Sequence, residues 1–292
     1  FILMKAAFVV DALRTPVGKF AGTLSTVRPD DLAAFTLKKI VARNTWLNPS
    51  DIEEVILGAA NQSGEDNRNV ARMAALLAGF PVNISGVTVN RLCASGLQSI
   101  ADAFTNIATG NGAVFIAGGV ESMSRAPYVL SKANNAFDRN QQMYDTSIGW
   151  RFTNKAFPKE ITYSMGETAE NVARKWNISR EAQDAFALAS QQKYQAAHAA
   201  AKFSQEIEAV EVEIGKGKSI LFDKDEHPRQ TTLEDLGKLK PAFVKDGTVT
   251  AGNSSGINDG AAALLVVSED VVKQYQLIMV YKYNKVGKFQ SS

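Results

Sequence analysis

The sequence predicts an α/β fold, with a mixed or parallel sheet covered by helices and a long excursion inserted before the last strand. Three observations carry this expectation. Strand-like runs alternate with helical patterns through the first 120 or so residues. Those runs are continuously apolar, which requires both faces of the sheet to be covered. From Ser122 to about Asp246 the chain turns polar and irregular, and strand character returns only at Ala261–Val267.

Taken in order, Ala6–Val10 reads as the first strand. Asp30 and Asp31 can cap a helix whose apolar side is Leu32, Phe35 and Ile40. Val55–Ala60 is a second strand, followed by a helix with Val70, Met73, Ala74 and Leu77 aligned. Val87–Asn90 and Ala113–Ala117 are strands on either side of a helix carrying Leu97, Ile100, Ala101, Phe104, Ile107 and Ala108 on one face. Within the excursion, strand character is confined to Val210–Ile214 and Ser219–Phe222. Its clearest helices are Gly166–Trp176 and Arg180–Ala201, the second begun by Ser179 as N-cap.

Composition narrows the function classes. The 292 residues are 45% apolar and 21% charged with a net charge of +2, ordinary values for a globular chain of one or two domains. No basic block suggests a nucleic-acid partner. No apolar run is long enough to span a bilayer, so no membrane partner is expected. Phe1–Met4 reads as a short extension and not a signal peptide. With a single cysteine there is no intramolecular disulfide, and a reducing, cytoplasmic location is expected.

That cysteine, Cys93, is the leading catalytic candidate. It falls at the turn between an apolar strand and a helix, where N–H groups stabilise negative charge on a neighbouring atom. Ala94, Ser95 and Gly96 leave room for an acyl group. The plainer reading, a small buried hydrophobe, stands beside it. His198 lies on a polar helix face and His227 in a charged loop, and neither pairs with the thiol by pattern. Two scattered histidines and one cysteine give no metal-ligand spacing. Gly215-Lys-Gly-Lys-Ser219 lacks the leading glycine of a phosphate loop, and Gly110-Asn-Gly112 precedes a strand instead of following one.

Asn90-Arg-Leu-Cys93-Ala-Ser-Gly96 resembles the nucleophile segment of the thiolases, and further motifs follow suit in order. Arg14-Thr-Pro-Val-Gly-Lys-Phe20 resembles their N-terminal signature, and Ala117-Gly-Gly-Val-Glu-Ser-Met-Ser124 the strand and turn after the nucleophile helix. Met165-Gly-Glu-Thr-Ala-Glu-Asn-Val-Ala173 is similar to a loop-domain helix, and Thr250–Ala262 to the segment returning to the core. The likeness spans residue 5 to about 276. Asp145–Phe152 looks like the degradative members that act on 3-oxoadipyl-CoA.

The resemblance implies a five-stranded mixed sheet with helices on both faces and an inserted, mostly helical loop domain. The implied boundaries are 1–121 for the first part of the α/β domain, 122–246 for the loop domain, 247–276 for the return, and 277–292 for an unmatched tail. It implies Claisen condensation or its reverse through an acyl-cysteine on Cys93, with coenzyme A and acyl-CoA as substrates and no permanently bound cofactor. It places Ser255 against the pantetheine arm, although turn chemistry alone also explains Ser254-Ser255. Arg229 is either a solvated loop arginine or, by resemblance, near the CoA nucleotide. Met165 is either core at helical spacing with Ala169, Val172 and Trp176 or, by resemblance, acyl-pocket lining. Thiolases carry a second half with Asn-Glu-Ala-Phe and Gly-His-Pro motifs and a second cysteine, none of which occurs in this chain. A truncated gene product with impaired turnover is therefore expected. So is a homo-oligomer, dimer or tetramer, because the Leu97/Ile100/Phe104 face lacks its cover. The rival expectation is a non-catalytic CoA-binding or oligomer-forming remnant.

Overall fold

In the computed structural model, residues 5–278, 281–283 and 289–291 are described. The extension Phe1–Met4 lies outside them, as does half of the tail expected to match nothing. The chain forms two compact units. The first takes the described residues of Phe1–Arg125, Gln205–Lys224 and Asn258–Ser292, and the second Ala126–Ser204 and Asp225–Ile257.

The elements follow the chain as β1 (Ala7–Arg14), β2 (Gly18–Lys19), α1 (Pro29–Arg43), β3 (Glu54–Gly58), α2 (Val70–Leu77), β4 (Ser85–Val89), α3 (Ser95–Thr109) and β5 (Val114–Ser122). The second unit contributes β6 (Tyr128–Leu130), β7 (Met143–Asp145), α4 (Met165–Lys175) and α5 (Arg180–Ala199). The chain re-enters the first unit for β8 (Val210–Gly215) and β9 (Lys218–Phe222), then leaves it for α6 (Leu233–Gly237). It ends with β10 (Asn258–Ser268), α7 (Glu269–Tyr275), β11 (Tyr281–Tyr283) and β12 (Phe289–Ser291).

The five expected strands lie in the order β4-β3-β5-β10-β1. β3 runs parallel to β4 and β5, and β10 runs antiparallel to β5 and β1, so the sheet is mixed. It is wider than five strands, because β2 pairs with β10 and the antiparallel pair β11–β12 adds to the free edge of β1. Side chains alternate between two cores, as the strand period demands. Phe8, Val10, Val55, Leu57, Val114 and Ile116 pack on one face, under α1 and α2. Ala7, Val9, Ile56, Phe115 and Ala117 face α3 on the other.

Four local expectations shift. α1 begins at Pro29, with Arg28 at the N-cap and no side-chain cap. Asp30 is instead buried and accepts from Arg28 Nε at 3.0 Å and Nη2 at 2.8 Å. In α2 the buried stripe is Val70, Ala71, Ala74 and Ala75, leaving Leu77 exposed. The β8–β9 strand pair, expected in the excursion, belongs to the first unit. Arg14 N–H donates to the Glu206 carbonyl at 2.7 Å and Glu208 N–H to the Arg14 carbonyl at 2.9 Å. Val210, Val212 and Phe222 then bury their side chains in the first core. Residues 247–257, expected to return with the last strand, fall in the second unit.

Candidate functional site

Three parallel strands, β4, β3 and β5, end along one edge of the sheet, the edge where open α/β sheets bind ligands. Cys93 sits there, in the turn between β4 and α3, and its side chain is exposed, which removes the buried-hydrophobe reading. Among the described residues no side chain hydrogen-bonds the thiol.

The turn is built by short hydrogen bonds. Asn90 Oδ1 accepts the Leu92 N–H at 2.9 Å, closing an Asx turn. Ser95 Oγ accepts the Arg91 N–H at 2.8 Å and donates to the Leu92 carbonyl, so Ser95 is a buried latch as well as a small residue. Leu92 is held at φ +50°, a left-handed conformation that disfavours a bulky side chain by about 1 kcal/mol or more. Ala94 stands at the N-cap of α3 without a side-chain acceptor, so the helix end is open to an incoming anion.

A glycine lets α3 approach the sheet. A Cβ on Gly58 would lie 2.3 Å from the Ser95 carbonyl carbon of α3, while one on Gly118 would lie 2.1 Å from the Ala262 oxygen of the neighbouring strand β10. Ser99, fully buried, accepts the Gly118 N–H at 3.0 Å and lies 2.7 Å from the Gly96 and Gly118 carbonyls. The stripe against the sheet is therefore Ser95, Ser99, Ala103 and Ile107. Of the face expected from the sequence, Ile107 and Ala108 are buried, Ile100 and Phe104 are half-buried against the same core, and Leu97 is 55% exposed.

Beside the turn, Glu121 accepts the backbone N–H groups of Ala60 and Asn61. Asp66 is buried near it, and burial, together with the Glu121 charge, pushes the Asp66 carboxyl up to about 6. Glu65 moves the other way, held down by its hydrogen bonds to Arg125.

In the second unit, two buried carboxylates anchor the segment carrying Ser255. Glu170 of α4 accepts the N–H groups of Thr248 at 2.8 Å and Val249 at 2.7 Å. Asp184 of α5, paired with Arg180 at 2.7 Å, accepts from Asn253 Nδ2 at 2.9 Å. Ser255 is exposed, with its hydroxyl donating to the Gly256 carbonyl at 3.1 Å, whereas Ser254 is half-buried and bonded to the Thr250 carbonyl at 2.7 Å. Arg229 Nη2 donates to the Ala251 carbonyl at 3.0 Å, and His227 Nε2 lies 3.2 Å from the Ile257 carbonyl. His227 and Arg229 thus grip the two ends of the turn bearing Ser255, a partnership that the charged loop did not suggest. His198 stacks on Tyr194 with ring centroids 5.8 Å apart. Met165 opens α4 behind a Ser164/Glu167 capping box and is 70% exposed. The buried face of α4 is Gly166, Glu170 and Ala173, so the core reading of Met165 with Val172 and Trp176 is corrected.

Among the described residues, no group of three His, Cys, Asp or Glu side chains could hold a metal ion, and no helix is long and apolar enough to cross a membrane.

Residues 7–270 match the family model described as the thiolase N-terminal domain. The chain belongs to the thiolase family. Among thiolases, a beta-ketoadipyl-CoA thiolase of Pseudomonas putida is 54% identical over 94% of this chain and 69% of its own length. A 3-oxoadipyl-CoA/3-oxo-5,6-dehydrosuberyl-CoA thiolase of Escherichia coli is 53% identical over 92% of this chain and 67% of its own. Solved thiolase structures superpose closely. The Bacillus anthracis acetyl-CoA acetyltransferase gives a TM-score of 0.88 at 38% identity, covering 97% of this chain and 70% of that one. Human mitochondrial 3-ketoacyl-CoA thiolase in complex with CoA gives 0.84 at 38% identity, covering 96% and 69%. The thiolase-type α/β fold expected from the sequence is the fold observed.

Sequence reasoning singled out Cys93 but missed the groups that shape its turn: Asn90, Ser95 as a latch, Ser99 and Glu121. An Asn two residues before a left-handed Leu is a legible Asx signal. Ser95 acts on its near neighbours Arg91 and Leu92, whereas Ser99 and Glu121 act across 19 and 61 positions and leave no local pattern.

Proposed function

We propose that Cys93 is the acyl acceptor of this thiolase-family acyltransferase, and that its substrates are 3-oxoacyl-CoA thioesters of the 3-oxoadipyl class. The observation that carries the reading is the exposed thiol at the open N-terminus of α3, on the carboxyl edge of three parallel strands. In the degradative direction, the Cys93 sulfur, once deprotonated, attacks the 3-oxo carbon. The bond between carbons 2 and 3 breaks, leaving acyl-Cys93 and an acetyl-CoA carbanion that takes a proton. The thiolate of free CoA then attacks the acyl-cysteine, releasing a shortened acyl-CoA and restoring the thiol. The N–H of Cys93 is a donor suited to the oxyanion.

The substrate class is supported by the two relatives named for 3-oxoadipyl or beta-ketoadipyl substrates, and by the likeness of Asp145–Phe152. Ser255 and Arg229 are proposed CoA contacts and Met165 a proposed acyl neighbour; all three are exposed, as a ligand-facing role requires. An unpaired reactive thiol suits a reducing, cytoplasmic compartment.

Two proton transfers remain to be supplied. Cys93 is the chain's only cysteine, and its two histidines are engaged with Tyr194 and the Ile257 carbonyl. General acid–base help is worth roughly 10²–10⁴-fold per group. We therefore propose that these 292 residues, acting alone, acylate at Cys93 but turn over poorly. Radiolabel from acetyl-CoA should be trapped on the wild-type chain and not on Cys93→Ala, while thiolysis of acetoacetyl-CoA stays near background. Equal labelling of both proteins would refute the acyl acceptor and leave a CoA-binding remnant. Thiolysis near 1 s⁻¹ would refute the impairment.

A further inference from the structure

We infer that Glu121 is a positioning residue for Cys93, acting through the Ala60 peptide and Asn90; the inference rests on Cys93 being the acyl acceptor. Glu121 is the penultimate residue of β5, and its two carboxylate oxygens accept successive amides beyond β3: Ala60 N–H at 2.7 Å and Asn61 N–H at 3.3 Å. The carbonyl of that same Ala60 accepts Asn90 Nδ2 at 2.8 Å. The other end of the Asn90 amide, Oδ1, accepts the Leu92 N–H at 2.9 Å. Three hydrogen bonds in series thus run from the tip of β5, through the loop after β3, to the residue before the nucleophile.

The last link is where support is needed. Leu92 sits at φ +50°, a conformation its side chain resists, and the turn relaxes unless something holds it. Asn90 does so by an Asx turn, yet Asn90 is itself an exposed side chain. Its orientation is fixed by the Ala60 carbonyl, and the Ala60 peptide is fixed by Glu121 and by the adjoining Ala59 N–H, which donates to the Val89 carbonyl at 3.1 Å. With Glu121 removed, Asn90 loses a stationary acceptor, Leu92 drifts toward negative φ, and the Cys93 sulfur moves with it. A misplacement of about 1 Å costs on the order of 100-fold in rate. Because the chain of contacts ends on backbone next to the sulfur, it changes the rate of acylation and leaves CoA binding alone.

The experiment follows acylation of Cys93 by radiolabelled acetyl-CoA across a concentration series, with iodoacetamide alkylation as a measure of thiol exposure. Glu121→Ala and Asn90→Ala are each expected to lower the maximal acylation rate roughly 30–100-fold, with half-saturating acetyl-CoA and alkylation within about threefold of wild type. Glu121→Gln, which keeps an oxygen for the Ala60 N–H, is expected to recover most of the rate. The double variant is expected to be no slower than the worse single, since both cut one relay. Multiplying effects, or an Asn90→Ala chain acylating within threefold of wild type, would overturn the inference. If Glu121→Ala fails to fold, the Asn90→Ala rate decides alone by the threefold criterion. A wild-type chain that takes no label instead brings down the acyl-acceptor reading itself, so the two failures are told apart.

Discussion

Asp66→Asn should stabilise the first unit at neutral and alkaline pH, by an amount set by the Asp66 environment. The carboxyl is buried, and Glu121, Asp30 and Glu65 add like charge, against a single opposing hydrogen bond from the Ser63 backbone. Together these raise it from 3.8 to about 6. The folded state therefore keeps a proton that the unfolded state releases between about pH 4 and pH 6. A group raised in this way loses stability as pH climbs through that window. At about 1.4 kcal/mol per unit, the loss is complete above pH 7 and amounts to roughly 3 kcal/mol. Asparagine has no proton to lose, keeps an oxygen for the Ser63 N–H, and offers an N–H to the neighbouring carboxylates. The gap between variant and wild type should be about 1 kcal/mol at pH 4.5 and about 3 kcal/mol at pH 8. Urea unfolding of the first unit can be read from Trp46, with Trp150 and Trp176 replaced by Phe. A gap that is flat with pH, or a variant less stable at pH 8, would refute the argument that Asp66 is charged there against its surroundings.

Further perturbations test other joints of the structure. Gly58→Ala places a methyl 2.3 Å from the Ser95 carbonyl carbon, so α3 must back away from β3. A loss of about 1–3 kcal/mol with slower Cys93 labelling is expected, and unchanged labelling in a stable variant would count against the close-approach argument. Gly256→Ala sets a Cβ 2.0 Å from the His227 ring, breaking its hold on Ile257. Calorimetry should show weaker CoA binding, and undiminished affinity would disconnect this turn from the CoA site. Glu170→Ala strips the acceptor from Thr248 and Val249 N–H groups, and a loss of about 2–4 kcal/mol is expected in the unfolding of the second unit. If the exposed Leu97 face is covered by another copy, the wild-type chain should elute above monomer mass and Leu97→Asp as a monomer. A wild-type monomer at micromolar concentration would refute that cover.

Much of this protein is determined by local chemistry. Continuous apolar runs such as Ala7–Val10 and Val114–Ala117 require a sheet covered on both sides, and the two cores they enter follow from a period of two. The strand–turn–helix around Cys93 is equally legible, because strand character and helical periodicity meet at that residue. Periodicity does not choose which helix face meets the sheet. Leu97, Ile100 and Phe104 form the more apolar stripe, yet Ile100 and Phe104 meet the core only in part, Leu97 is exposed, and Ser95, Ser99, Ala103 and Ile107 are buried. Backbone proximity to Gly58 and Gly118 admits only small or hydrogen-bonded side chains there, and that proximity exists only once the strands are assembled. The same holds for β8 and β9, drawn back to the first unit by backbone bonds to Arg14, and for the line from Glu121 through Ala60 to Asn90. Hydrogen bonds between residues 30, 61 or 192 positions apart leave no trace in spacing, so only the folded chain brings them together.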